Sequence, residues 1–280
     1  MSNISRQIMS LIAYPLVSFT RPKKGLVVIT LHDVPNGHYL WFEEFIKYTS
    51  NHYEFIDPFQ LNNKFSDSNN QPRVLISFDD GFYSNRILAE KVLSKYGIKG
   101  LFFITEDFIG ERKSITFMNQ TFYPNSPRRV LNRNEALPMS WNDIQWLVDH
   151  GHMIGAHTKS HPLLTSIDDP ADLISEIVSS ADRLENLVDT KINCFAFPFG
   201  TVESVNKSAI AIAKSRFDFV FSNVRGSFRE SPSRGFIFRQ NIVPGDTMPL
   251  TRAIIDGRIN WRYNQARQKA KKIFSVIQKR

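Results

Sequence analysis

The chain has 280 residues (32.3 kDa), 42% hydrophobic and 22% charged, with 35 Lys+Arg against 27 Asp+Glu for a net charge of +8. That length and composition fit a large globular domain with a sizeable core and exclude a disordered chain, a collagen and a multi-span membrane protein. The one cysteine, Cys194, cannot form an internal disulfide, which excludes a stapled secreted scaffold and fits a reducing, cytoplasmic compartment.

Residues 1–25 read as a lead-in. Ile4, Ile8, Leu11 and Ile12 fall on one helical face beside Arg6, so the segment is expected to touch a membrane. The apolar stretch Ile8–Phe19 is broken by Tyr14, Pro15 and Ser18 and is too short to span a bilayer, which needs about 20 apolar residues. No small-x-small cleavage site precedes Arg21.

Residues 26–257 read as the catalytic domain. Short β-rich runs at Leu26–Leu31, Arg73–Phe78, Gly100–Ile104, Met153–His157, Ile192–Phe197, Phe219–Ser222 and Gly235–Arg239 alternate with helical patterns. The helices are expected near Tyr39–Asn51, Asn85–Tyr96, Ser140–His150, Pro170–Val188 and Ser204–Ser215. This rhythm predicts an α/β fold of about seven parallel strands with helices packed outside. Ser140 with Asp143 three residues on is an N-cap pattern that Gly151 ends, and Ser166–Asp169 before Pro170 supplies capping oxygens and a first-turn proline. Glu106–Pro138 reads as a long insertion carrying Arg112, Lys113, Arg128, Arg129 and Arg133, and a loop of that length over a barrel mouth is more often functional than idle. Asn62–Gln71 is a plain loop.

The charge is concentrated in the last segment. Residues 258–280 hold eight basic residues (Arg258, Arg262, Arg267, Lys269, Lys271, Lys272, Lys279, Arg280) and no acid, which leaves 27 basic against 27 acidic elsewhere. A formally neutral body excludes a globally basic nucleic-acid binder. Ile259, Tyr263, Ala266, Ala270, Ile273, Phe274 and Ile277 share one helical face, giving a basic amphipathic helix. Such a helix either lies on an anionic membrane surface, where each Lys or Arg contributes roughly 1 kcal/mol, or packs on the body by its apolar face.

Three strand ends carry chemistry-bearing residues. Asp79-Asp80-Gly81 closes one; adjacent acids there point in different directions, so one can hold a metal while the other faces a water, although a lone Asp-Gly is equally a surface turn. His157-Thr158-Lys159-Ser160-His161 closes a second, and imidazoles at this spacing can converge on one cation, with Zn²⁺ suited to two nitrogens and a carboxylate oxygen. Phe195-Ala196-Phe197-Pro198-Phe199-Gly200 closes the third, where Pro198 and Phe199, with Trp141, can wall a sugar-sized groove, or simply form a buried strand end. Such ends on parallel barrel strands are where sites are built.

Taken in order, these three motifs resemble those of the polysaccharide deacetylases, the NodB-like carbohydrate esterases, over roughly Leu26 to Val243. The resemblance implies a distorted (β/α) barrel and a metal-dependent hydrolase that removes N-acetyl groups from the amino sugars of a glycan or lipid-linked saccharide. It also implies Asp79 as general base and Asp80, His157 and His161 as ligands of one divalent ion, Zn²⁺ or alternatively Co²⁺, Ni²⁺ or Mn²⁺. A deformylase of a lipid-linked formamido sugar and a non-catalytic glycan-binding relative are the competing readings.

Two positions depart from the family pattern. A general-acid histidine near the end of the domain is missing, because all seven histidines precede residue 162. His32, at the end of the first predicted strand, is the expected substitute, the alternative being a strand-end histidine paired with Asp33. The arginine often found two residues before the motif proline is Ala196, and Arg239 at the last predicted strand is expected to reach Asp79 instead, either to orient it or as a structural ion pair. The expected place of work is the cytoplasm, at the inner face of the membrane if the termini touch it; the sequence does not fix an oligomeric state.

Overall fold

A computed structural model of the protein describes residues 25–62, 72–110, 121, 137–233 and 235–277. Eight strands are present among them: β1 (Gly25–Leu31), β2 (Glu54–Phe55), β3 (Pro72–Phe78), β4 (Leu101–Ile104), β5 (Met153–Ala156), β6 (Cys194–Ala196), β7 (Phe219–Arg225) and β8 (Phe236–Asn241). All pairings between them are parallel. The order runs β1–β8–β7–β6–β5–β4–β3, and β3 returns to β1 in register from Gly25↔Pro72 to Leu31↔Phe78. The result is a closed seven-stranded barrel. The two-residue β2 adds to β3 outside the ring and is too short for the sequence pattern to flag.

The strands alternate between two cores because successive side chains point to opposite faces. Leu26, Val28, Leu75, Leu101, Phe103, Phe221 and Ile237 fill the lumen. Val27, Ile29, Leu31, Val74, Ile76 and Phe78 face outward into the layer shared with the helices. Each fully buried side chain of this kind contributes about 1.5–3 kcal/mol. Gly155 is required by this packing: a Cβ there would lie 2.6 Å from the Phe103 ring. The same alternation, carried past the strand ends, places the chemistry-bearing residues on the lumen side of one mouth.

The outer layer comprises α1 (Tyr39–His52), α2 (Tyr83–Leu88), α3 (Trp141–Asp149), α4 (Pro170–Ile174), α5 (Ser180–Val188), α6 (Lys207–Arg216), α7 (Met248–Ile255) and α8 (Asn264–Ile277). The capping box at Ser140 forms: its Oγ accepts from the Asp143 N–H at 3.2 Å, and the Asp143 carboxylate accepts from the Ser140 N–H at 2.8 Å. The predicted helix over Pro170–Val188 is continuous but contains a single π turn at Ser175–Ser179. α6 starts later than Ser204 because Asn206 is its cap, accepting from the Ala209 N–H at 2.8 Å. α7, following β8, is not flagged by the sequence pattern.

The basic tail packs on the barrel. Ile259, Ala270 and Phe274 are buried in the outer core, and the Phe274 ring lies against Phe236. Arg267 is buried and donates to the carbonyls of Arg225 (3.0 Å) and Asn260 (2.7 Å). Ile259, Ala270 and Phe274 of the tail's apolar face are therefore packed on the protein's own core, the second of the two expected placements. Arg258 and Lys269 also pair with Asp256 and Glu203. The lead-in up to residue 24, Asn63–Gln71, Lys279, Arg280 and the basic residues of the insertion lie outside the described residues. No helix among the described residues is long and apolar enough to cross a membrane.

Candidate active site

The turn after β3 and the turn after β5 bring Asp80, His157 and His161 together. All three are buried, and one ligand atom from each lies within 4.8 Å of the others. Asp80 Oδ1 is 3.3 Å from His157 Nε2 and 3.5 Å from His161 Nε2. Two ligands each about 2.1 Å from a tetrahedral ion are separated by about 3.4 Å. His157 Nδ1 lies 2.7 Å from the Ala196 carbonyl, which can only accept, so Nδ1 carries the proton and the Nε2 lone pair faces Asp80. Asp80 Oδ1 has no hydrogen-bond partner although it is buried. Two facing lone pairs in a buried place require a cation or a proton between them, so the three residues fit a bound divalent ion.

The electrostatics agree with that fit. Burial acts to raise the Asp80 carboxyl, but its proximity to His157, His32 and His161 outweighs that and holds the group below its usual range. Burial pushes His161 down to about 4, with His157 and His32 adding to the effect, so the ring is neutral near pH 7, as a metal ligand must be. For His157 burial acts downward, while Asp80 and Asp79 together raise it. The backbone is strained here: Asp80 (φ 79°), Thr158 (68°), His161 (58°) and Phe199 (58°) are left-handed. Such positions cost about 1–3 kcal/mol each and cluster at functional sites.

Asp79 is fully buried and turned the other way, toward the lumen. Arg239 from β8 grips it through two hydrogen bonds of 2.7 Å, one to each carboxylate oxygen. The guanidinium is itself held by the Ser222 carbonyl at 3.1 Å and by Asn223 Oδ1 at 2.9 Å. It also lies over the ring of Phe103, 5.3 Å from the centroid. Burial alone would raise Asp79, but Arg239, then His157 and His32, hold it well below the ordinary carboxylate range. His32 Nε2 is 3.8 Å from Asp79 Oδ2, and its side chain is 37% exposed at the mouth. Asp33 accepts a hydrogen bond from Ser84 Oγ at 2.8 Å.

Residues 66–216 match the sequence profile of the family described as polysaccharide deacetylase. The chain belongs to the polysaccharide deacetylase family. YxkH of Bacillus subtilis (strain 168), named for the same family, is 24% identical over 188 residues, covering 64% of this chain and 58% of that relative. This chain therefore spans less than two thirds of that relative's length. IcaB from Ammonifex degensii superposes with a TM-score of 0.65 at 20% identity, over 85% of this chain and 100% of that one. The Streptococcus pyogenes deacetylase PplD, solved in complex with acetate, gives a TM-score of 0.59 at 17% identity, over 80% and 94% of the two chains. At these identities the likeness to solved structures is one of fold, and the fold is the polysaccharide deacetylase barrel.

Arg239 reaches Asp79 as expected, and Ala196, at the position where an arginine is expected, contributes its carbonyl to His157. Phe199 is 40% exposed and sets its ring edge-on to His161, with centroids 4.8 Å apart. The turn is fixed by Gly200, where a Cβ would meet the Asn223 backbone nitrogen at 2.5 Å. Pro198 accepts the Gly200 N–H within that turn. Trp141 is half-buried and packs against the outer core at the start of α3. Sequence reasoning misses Asn223, which binds Arg239 and whose Nδ2 donates to the Phe199 carbonyl at 3.3 Å. The period-2 alternation from Phe219 and Phe221 already places Asn223 in the lumen.

Proposed function

We propose that the protein is a metal-dependent hydrolase that removes N-acetyl groups from the amino sugars of a glycan or lipid-linked saccharide. The observation that carries this reading is the division of labour between two adjacent acids. Asp80 turns to the two histidines, and Asp79 turns to Arg239 and His32. A divalent ion on Asp80, His157 and His161, proposed as Zn²⁺, supplies Lewis acidity and a water of lowered pKa when bound.

Asp79 accepts the proton of the attacking water, and the Arg239 fork keeps its carboxylate in one orientation through that transfer. The carbon–oxygen bond forms as the amide carbon becomes tetrahedral. The carbon–nitrogen bond then breaks, and a proton goes to the leaving nitrogen, giving acetate and a free amino sugar. His32 is the proposed donor of that proton, since it is the exposed imidazole beside Asp79. Phe199 stands over His161 as an apolar wall for the acetyl methyl or the sugar ring.

Incubation of the purified protein with an N-acetylglucosamine oligomer should release acetate, stop on chelation and resume on adding Zn²⁺. Formate release from an N-formyl substrate with no acetate release would replace this reading with the deformylase. Binding of the oligomer without release of either acid would replace it with a binding module. His32→Ala should lower kcat by about 10²–10⁴-fold, the usual contribution of one general acid, with metal content unchanged. An unchanged kcat would remove His32 from the mechanism.

A further inference from the structure

The loop between the two histidine ligands has a strained backbone and is braced from outside. Thr158 and His161 are both left-handed non-glycine residues, and the His161 N–H donates to Thr158 Oγ1 at 3.0 Å. Two outside elements complete it. The turn after β4 serves the loop's carbonyls, with the Glu106 N–H donating to Thr158 O at 3.2 Å and the Asp107 N–H to Lys159 O at 2.8 Å. The N–H groups of Lys159 and Ser160 are served by one side chain, Glu176. Its Oε2 accepts from the N–H groups of Lys159 (3.0 Å) and Ser160 (2.9 Å), and its Oε1 accepts from Ser160 Oγ at 2.8 Å. The Glu176 main-chain carbonyl also accepts from the Lys159 N–H at 3.0 Å.

Glu176 sits in the π turn Ser175–Ser179 that interrupts the long helix. A π turn inserts one residue into the ladder, and such insertions occur mostly as single turns, frequently at functional sites. Here both the carbonyl and the carboxylate of one residue meet the same loop. Three donors converging on a carboxylate are charge-assisted, and they fix the turn that carries His161 toward Asp80.

We propose that Glu176 is the positioning residue of the metal centre: it holds the His157–His161 loop in its strained conformation, so that both imidazoles converge on Asp80 before an ion arrives. The inference rests on the reading of Asp80, His157 and His161 as metal ligands. Outer-shell partners of metal ligands typically contribute 10–100-fold in affinity. Gln at this position keeps a carbonyl oxygen for the two N–H groups and an amide that Ser160 Oγ can accept from. The conservative variant should therefore rescue what Ala loses.

The test is Zn²⁺ affinity of the full chain by competition with a chromophoric chelator, for wild type, Glu176→Ala and Glu176→Gln. It is paired with the visible spectrum of Co²⁺-loaded protein and the melting temperature of the metal-free form. Glu176→Ala should bind Zn²⁺ about 10–100-fold more weakly and change the Co²⁺ spectrum, while Glu176→Gln recovers most of the loss and the metal-free melting temperatures stay close. Equal Zn²⁺ affinity in wild type and Glu176→Ala overturns the proposal. So does a loss of affinity matched by an equally large fall in metal-free melting temperature, which would make Glu176 a part of the fold alone. A wild-type protein that takes up neither ion overturns the metal-centre reading itself, a distinguishable result.

Discussion

Strand β5 is flanked by two buried histidines, His152 just before it and His157 just after it, and their surroundings are opposite. His152 accepts a hydrogen bond on Nδ1 from the Gly100 N–H at 3.0 Å and packs edge-on to Phe102. Burial, assisted by Lys99 and His150, pushes it down to about 4. His157 donates from Nδ1 to a carbonyl and aims Nε2 at Asp80, among three other titratable groups. One ring is a polar plug in an apolar floor, and the other is a ligand at the mouth. In a parallel barrel the N-terminal ends of the strands carry stability and the C-terminal ends carry chemistry. Changes at the mouth should therefore alter activity first, and changes at the floor should alter stability first.

Arg239 is where that division is expected to break down most, because it is a mouth residue buried like a floor residue. Arg239→Ala leaves the Asp79 carboxylate buried and unpaired, which costs about 3–5 kcal/mol. For a chain of this size that lowers the melting temperature by roughly 6–20 °C. Deacetylation should fall as well, while Zn²⁺ uptake persists because the three ligands are untouched. Arg239→Lys keeps the charge but not the two-pronged geometry, so it should recover stability more than rate. Thermal unfolding of the two variants decides this: a melting temperature for Arg239→Ala within 2 °C of wild type would mean that Asp79 is held by something else.

How the site could be read from sequence follows from the same geometry. Asp79-Asp80 and His157/His161 are local patterns at the ends of apolar runs, so each was legible as a short motif, and parallel strands guaranteed a common mouth. The seven barrel strands were legible for a related reason, since Val, Ile, Leu and Phe cluster where both faces are covered. The Asp79–Arg239 pair joins residues 160 positions apart, and it was legible because Arg239 also ends a strand. Asn223 had only the period-2 alternation of its strand to mark it, and Glu176 had no such signal. Asn223 lies in the part of β7 beyond its expected end, and Glu176 acts through a π turn, which hydrophobic periodicity does not encode. The tail was ambiguous in principle: an amphipathic face looks the same whether lipid or a barrel covers it, and only tertiary packing identified Phe236 as the partner of Phe274.

His152 sharpens the comparison from the floor. Its folded value of about 4 lies below the ordinary 6.5, so the unfolded chain binds a proton across that interval and the folded chain does not. Stability from this group is fully present above about pH 6.5 and is lost as the pH falls from 6.5 toward 4, by up to about 3 kcal/mol at 1.36 kcal/mol per unit. Protonation would also break the Gly100 bond, since Nδ1 could no longer accept. His152→Asn retains an acceptor for Gly100 but does not titrate in this range. Its unfolding free energy should therefore fall less steeply than that of wild type between pH 6.5 and pH 4, with acetate release at pH 7 unchanged. Urea denaturation at several pH values measures the slope. Identical slopes in the two proteins would show that the acid loss comes from the mouth, and the assignment of stability to one end of β5 would fail.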